Sequence, residues 1–416
     1  MKRLGLLTLS LLLAPGLAAG RAAELPGSEP GAVGLSAAKL AGLKPALQKL
    51  VDDGKAPGGV ALVARHGKVA YVASLGFRDL AARTPMTEDT IFAIASMTKP
   101  ITCVAVMTLV ERGDLNLDDP VGKYLPELNG LRVLGDPKGD TDAEVATVPL
   151  KRPVTVRDLL AHASGFAYGG FLATDPRLGR SYARVGVQAP GLKTIAEQVA
   201  RLARVPLAHQ PGEGWTYGLS HDVLGRLVEV VSGRPFDAYL KDRIFTPLDM
   251  RDTAFLVPEG KRDRVATVYR GVPGGALTPL PKSYGSATFF AGGSGLFSTA
   301  RDYARFAQML LNGGELDGAR VLKPETIALM TTNQIGTRRA LIFFKYGLGF
   351  GLEMAPGAPD GGRALARYFW GGIFSTYFWV DPRHDCTAVI MTQVLPTNSS
   401  GVEHVFRSAV DDAITD

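Results

Sequence analysis

Strand signals near both ends of the chain, helical signals between them and one nearly all-apolar helix behind Ser96 predict an α/β (α+β) fold. The predicted architecture is an antiparallel sheet flanked by helices and built from both termini, with an all-helical lobe inserted into it. The divisions are a leader over 1–23, the N-terminal part of the α/β lobe over 24–95, the helical lobe over 96–283 and the C-terminal part of the α/β lobe over 284–416. A cleft between two such lobes is where a substrate site is expected.

The leader opens Met1-Lys2-Arg3, runs apolar from Leu4 to Leu13 and turns to small residues up to Ala23, the plan of a secretory signal peptide. Its apolar core is too short to span a bilayer, and no later segment approaches ~20 uninterrupted apolar residues. The sequence therefore predicts an exported protein, periplasmic or secreted, with no membrane span. The Gly/Pro-rich stretch 29–34 reads as a flexible leader. Ser36 then opens a segment with Leu40, Leu43, Leu47 and Leu50 on one face and Lys39, Lys44 and Lys49 elsewhere, an amphipathic helix with Ser36 as its cap. Residues 59–64 and 68–75 read as a hairpin turned by Arg65-His66-Gly67.

From Ser96 the signals become helical. Ile101, Val104, Ala105, Val106, Met107, Leu109 and Val110 are apolar nearly all round, and Glu111-Arg112-Gly113 is a C-terminal stop, so this helix is expected to be buried. Further helices are predicted at 156–162, 192–205 and 222–231. Strands follow at 346–354, 366–370, 375–380 and 387–394, and 402–414 closes the chain as a helix.

Composition narrows the function. The 416 residues carry 46 Lys and Arg against 40 Asp and Glu, a net charge of +6 with no basic block, which points to neither nucleic acid nor a membrane surface as partner. Cys103 and Cys386 are the two cysteines, too few for a disulfide framework, and Cys103 in the buried helix reads as a free thiol. His66, His162, His209, His221, His384 and His404 are scattered without ligand spacing, so neither a metal nor another cofactor is expected.

The chemistry is concentrated in three runs. Ser96-Met97-Thr98-Lys99 places a hydroxyl and an amine one helical turn apart, on one face, at the start of the buried helix. A buried ammonium is costly unless paired or deprotonated, which marks Lys99 as the partner that activates Ser96. A second copy of the pattern, Ser36-Ala37-Ala38-Lys39, sits on a surface helix and reads as a cap alone. The second run, Trp215-Thr216-Tyr217-Gly218-Leu219, puts Tyr217 in a loop before a helix. The third, Trp370-Gly371-Gly372-Ile373, interrupts a strand with two glycines, the mark of a close approach by backbone or ligand.

Together with LLAHASGF around His162-Ala163-Ser164-Gly165, Asp222-Val223-Leu224-Gly225 and GGSGLFSTARD from Gly292 to Asp302, these runs resemble the serine β-lactamase and penicillin-binding protein superfamily. Within it the chain is most similar to the family VIII carboxylesterases, which have the class C β-lactamase fold, and the resemblance covers nearly all of the chain after the leader. It implies a β-lactamase/transpeptidase-like fold and acyl transfer by Ser96, with Lys99 and Tyr217 sharing the proton. It also implies an oxyanion hole from the N–H groups of Ser96 and Ile373, and substrate contacts from Trp370, Gly371, Gly372, Leu219 and the aromatic Tyr168.

Two departures favour neutral esters over lactams. Tyr217-Gly218-Leu219 stands where a class C β-lactamase has Tyr-x-Asn, and Trp370-Gly371-Gly372 where it has Lys-Thr-Gly. Losing a charge-assisted contact to a substrate carboxylate removes roughly 1.5–3 kcal/mol. The sequence thus points to a serine hydrolase of small carboxylic esters. The alternatives are a weak β-lactamase or D-amino-acid peptidase of the same fold, and a penicillin- or peptidoglycan-binding protein that acylates without turnover. Which of Lys99 and Tyr217 is the base stays open at this level, as does the oligomeric state. His162 and His221 are read as capping or packing residues, Ser294 as shaping a turn, and Asp222 as capping its helix, with support of Tyr217 as the alternative.

Overall fold

Eight antiparallel strands form the central sheet, and its order joins the two ends of the chain. In a computed structural model, which describes residues 24–140, 145–170, 174–271, 275–341, 343–355, 365–397 and 399–415, the order runs Lys345–Tyr346, Gly351–Met354, Leu365–Gly372, Thr376–Asp381, Cys386–Met391, Gly58–Arg65, Lys68–Asp79, Thr84–Pro85. The seam between late and early strands is antiparallel and in register from Val60 opposite Met391 to Arg65 opposite Cys386. The proposed leader, 1–23, lies outside the described residues.

Gly58–Arg65 is buried on both faces along its whole length, as expected of a strand at the centre of two packed layers. Val60 and Leu62 point into the core shared with helix Ala300–Leu311 and the helical lobe, whereas Ala61 and Val63 meet Leu43 and Leu47 of helix Leu43–Asp52 and Phe406 and Val410 of helix Val402–Ala413. The hairpin turn forms at His66 and Gly67, both with positive φ (53° and 72°), the backbone that matches the strand twist in a two-residue turn.

Helices Ile195–Leu202 and Ser220–Ser232 form where periodicity placed them, the second ended by Gly233 in the left-handed conformation. Three expectations need correction. The inserted lobe over 96–283 is not all helical, since Arg132–Leu134 pairs with Thr147–Pro149 and Tyr269–Arg270 with Thr278–Pro279. The segment 346–354 is two strands, because Gly347 packs where a Cβ would lie 2.0 Å from the Met330 carbonyl and Gly349 takes φ 95°, forcing a turn. The stretch 29–34 is a 3-10 turn, Pro30–Val33, with Val33 buried in the outer core. Cys103 is free and buried, as read from the sequence, and Cys386 is free and buried as well. No helix among the described residues is long and apolar enough to cross a membrane.

Candidate active site

Ser96 stands at a sharp entry into its helix. Ala95 takes φ 44°, a left-handed conformation that costs a non-glycine residue about 1 kcal/mol. The 3-10 turn Ala95–Met97 follows, then the buried helix Thr98–Glu111. Met97 N–H bonds to Ile94 O and Thr98 N–H to Ala95 O, so the turn satisfies its own backbone and leaves the Ser96 hydroxyl for other work. Tyr303 OH donates to Met97 O at 2.8 Å, and Thr98 Oγ1 accepts from Leu296 N at 3.1 Å, which pins the turn from the far side.

Lys99 is fully buried and its amine donates three hydrogen bonds: to Ser96 Oγ at 3.2 Å, Tyr168 OH at 3.0 Å and Gly293 O at 2.7 Å. An ammonium has three N–H donors, so these three acceptors saturate it. Burial pulls the amine down, yet the neighbouring Tyr168 and Tyr217 phenols outweigh it and leave Lys99 above its ordinary value. The Tyr168 hydroxyl, pushed up chiefly by burial, stays protonated. Nζ also lies 4.6 Å from the centre of the Tyr217 ring.

Three glycine contacts assemble these parts from distant stretches of chain. A Cβ on Gly218 would lie 2.2 Å from Phe166 O, so only glycine lets the Tyr217 loop close on the segment that carries Tyr168, and the two rings meet edge to face at 5.4 Å. A Cβ on Gly372 would lie 2.4 Å from Ile94 O, two residues before Ser96, and Thr376 Oγ1 donates to that same carbonyl at 3.3 Å. This close approach is what the paired glycines of the third run implied, and it sets the Ile373 and Ser96 segments side by side. The Gly292-Gly293 turn presents its carbonyls to the nucleophile helix, Gly292 O accepting from Thr102 Oγ1 at 2.7 Å and Gly293 O from Lys99.

Behind Tyr217 stands an aromatic wall. Trp370 is 4% exposed and lies 5.6 Å from Tyr217, 5.3 Å from Tyr346 and 5.9 Å from Phe344, ring centre to centre. Trp215 stacks nearly parallel to Tyr217. Leu219 precedes helix Ser220–Ser232 and is buried in the main core, so it supports the Tyr217 loop from below. His162 and His221 are buried beside this wall at 4.5 Å from each other, and burial followed by nearby positive charge keeps both neutral. Neither caps a helix: Thr155 caps Val156–Leu160, and Leu219 holds the N-cap position of Ser220–Ser232. Asp222 departs from its expected capping role, its carboxylate accepting from Gly293 N across the turn at 3.4 Å.

The structure therefore brings Ser96, Lys99, Tyr217, Tyr168, Trp370 and the Gly371-Gly372 strand end together. What sequence reasoning missed is the Gly293 carbonyl on Lys99, the direct Tyr168 bond and the partners Tyr346 and Phe344 of Trp370. The GGSG run carried a signal for the first, since two adjacent glycines imply a backbone approached closely.

A hydroxyl nucleophile held by a buried amine between phenols, at the start of a buried helix of this α/β fold, defines a serine hydrolase. Residues 43–410 match the Beta-lactamase family, and the chain belongs to it. It is 33% identical over 406 residues to Esterase EstB of Burkholderia gladioli, covering 90% of this chain and 95% of that one. It is 36% identical over 373 residues to Protein Rv1367c of Mycobacterium tuberculosis, covering 86% and 90%. The fold is shared with EstCE1, described as a hydrolase with promiscuous acyltransferase activity, at a TM-score of 0.73 and 24% identity, over 90% of this chain and 98% of that one.

Proposed function

We propose that this chain is a carboxylesterase that cleaves small neutral esters through an acyl-enzyme on Ser96. The observation that carries the reading is the setting of Lys99: its Nζ lies within hydrogen-bond distance of Ser96 Oγ, Tyr168 OH and Gly293 O, and its neighbours hold it above its ordinary value, which favours a charged donor over a base. Tyr168 is held protonated, so the base is Tyr217, beside the ammonium. Ser96 Oγ attacks the ester carbonyl and its proton passes to the Tyr217 oxygen, while the N–H groups of Ser96 and Ile373 receive the developing oxyanion. Collapse breaks the bond to the alkoxy group, which takes that proton and leaves as the alcohol. Water then repeats the sequence on the acyl-enzyme and releases the acid.

Ester preference is supported by what surrounds the base. By the family resemblance, Trp370 stands where a cation would meet a lactam substrate's carboxylate and Leu219 where an amide would help bind the lactam, and both are apolar and buried. The EstB name supports the same class. The leader over 1–23 supports export to the periplasm or the medium, which N-terminal sequencing of the protein recovered from those fractions tests.

The decisive assay is kcat/KM on short p-nitrophenyl esters, a chromogenic cephalosporin and a D-Ala-D-Ala peptide. Sustained turnover of the ester at a kcat/KM well above the lactam's is the expected result. A burst that stops after one equivalent would move the assignment to a protein that acylates without turnover, and preference for the cephalosporin would move it to a β-lactamase.

A further inference from the structure

Among the buried ionisable side chains that the mechanism does not use, Asp222 stands nearest to its reacting groups. Asp222 lies in the first turn of helix Ser220–Ser232, is 3% exposed, and faces the active site across a single glycine. A Cβ on Gly293 would sit 2.7 Å from Asp222 Oδ2 and 3.5 Å from Lys99 Nζ, so this residue is wedged between carboxylate and amine. Its N–H donates to Asp222 Oδ1 and its C=O accepts from Lys99 Nζ.

We propose that Asp222 is a positioning residue that supplies the buried counter-charge of Lys99 and aims the Gly293 carbonyl at its amine. Two unfavourable burials cancel in this arrangement. The three groups bonded to Lys99 are a hydroxyl, a phenol and a carbonyl, so the charge of the buried ammonium is balanced from beyond them, by Tyr217 beside it and by Asp222 across Gly293. Asp222 in turn bonds a backbone N–H, and its carboxylate is tolerated by Lys99 across Gly293 and by the N-terminal turn of its own helix. Glycine at 293 is what lets the carboxylate and the amine stand one residue apart.

Ionised Asp222 accepts from the Gly293 N–H and so keeps the Gly293 carbonyl on the Lys99 amine, and protonation of Asp222 loosens that grip. Lys99 from the nucleophile helix is the ionisable group that acts on Asp222 from the packed elements, and Asp222 in turn raises the Tyr168 phenol from the segment after helix Val156–Leu160. The Gly292-Gly293 turn brings main chain, and His221, beside Asp222 in sequence, is kept neutral by burial. Burial raises the Asp222 carboxyl to about 6, against the pull of Lys99 and the Gly293 N–H. A carboxyl raised in this way is charged above that pH and neutral below it, so activity is lost as pH falls through about 6.

The inference rests on the Ser96–Lys99–Tyr217 reading, and its test separates the two. Asp222→Asn keeps an oxygen for the Gly293 N–H and removes the charge; Asp222→Ala removes both. The pH profile of kcat and kcat/KM on p-nitrophenyl butyrate is measured from pH 4.5 to 9 for the wild type, both variants and Ser96→Ala, with circular dichroism on each. We expect Asp222→Asn to lower kcat by roughly 10- to 100-fold above pH 7 with KM little changed. The wild-type acid limb near pH 6 should be absent from its profile, so that the two proteins converge at low pH. An Asp222→Asn protein with wild-type rate and an intact acid limb overturns the inference and leaves the mechanism standing. Full activity in Ser96→Ala overturns the mechanism itself. If Asp222→Ala fails to fold, the folded Asn variant still decides the question.

Discussion

The chain carries two Ser-x-x-Lys turns, and their surroundings give them opposite roles. At Ser36 the backbone is extended (φ −68°, ψ 107°), so the hydroxyl folds onto the helix that follows and accepts from the Lys39 main-chain N–H at 3.4 Å. The Lys39 side chain turns away on the surface and donates to Asp412 O, at the end of the closing helix, at 2.5 Å. At Ser96 the chain is already turning when the serine arrives, the 3-10 bonds use up the first N–H groups, and the hydroxyl meets the side chain of Lys99. One serine serves its lysine's backbone and the other its lysine's amine. The motif becomes chemistry where the serine is relieved of capping and the lysine is buried.

The comparison is broken most directly by removing each hydroxyl. Ser96→Ala should lower kcat/KM on p-nitrophenyl butyrate by roughly three to six powers of ten with the fold intact. The same change at Ser36 should leave turnover within about twofold of wild type, since no group there touches the site. Equal losses at the two positions would show that burial does not separate them.

A second test concerns the amine. Lys99→Ala and Tyr217→Phe should each cost roughly two to four powers of ten in kcat, and the double variant little more than the worse single, because the Lys99 ammonium sustains the Tyr217 base and the two act as one unit. Strict additivity of the logarithms would separate the residues into independent roles. Lys39→Ala, its counterpart on the surface, should change kcat not at all.

These contrasts also show how far the sequence could be read. Periodicity located the buried helix, and apolar character behind Ser96 was enough to single out Lys99 over Lys39. The paired glycines at 371 and 372 gave away a close backbone approach, though not that Ile94 O would be the partner. Tyr168, Gly293 and Asp222 were harder because they reach Lys99 from 69, 194 and 123 positions away, and no local pattern encodes such a meeting. The split of the strand at 346–354 was hidden for a similar reason, since Gly347 is demanded by Met330, on a different element. The sequence showed where the chain turns and buries itself; which distant residues complete the site depended on packing.

The aromatic wall offers a smaller effect on specificity. Trp370→Lys puts a cation where related lactam-binding sites carry one, and should move the ratio of kcat/KM for cephalosporin over ester by about tenfold or less. The shift is limited because the position is 4% exposed between Tyr217, Tyr346 and Phe344, where an ammonium finds rings in place of the missing hydroxyl and amide. The same substitution should lower the melting temperature, as burial of an unpaired charge does. A large switch toward lactams with unchanged stability would mean that Trp370 faces the cleft more openly than its packing indicates.

The smallest expected effect belongs to Ser36 as a cap, and it tests the other half of the comparison. Its bond to the Lys39 N–H is long and lies at an exposed helix start, so Ser36→Ala should cost only about 0.5 kcal/mol, the lower end of the range for caps. The helix it begins, Ala37–Ala41, is short and rests on Leu40, which packs in the outer core with Leu43, Phe406 and Val410. Those apolar contacts survive the substitution, and the loss should appear in denaturant unfolding as a slightly lower midpoint with an unchanged slope. Ser36→Gly should cost less than Ser36→Ala, because glycine is tolerated at a cap by the backbone and alanine is not. If alanine and glycine were equally harmless, the Ser36 hydroxyl would not be capping its helix. The two serines would then differ only in that one is used for chemistry and the other is not used at all.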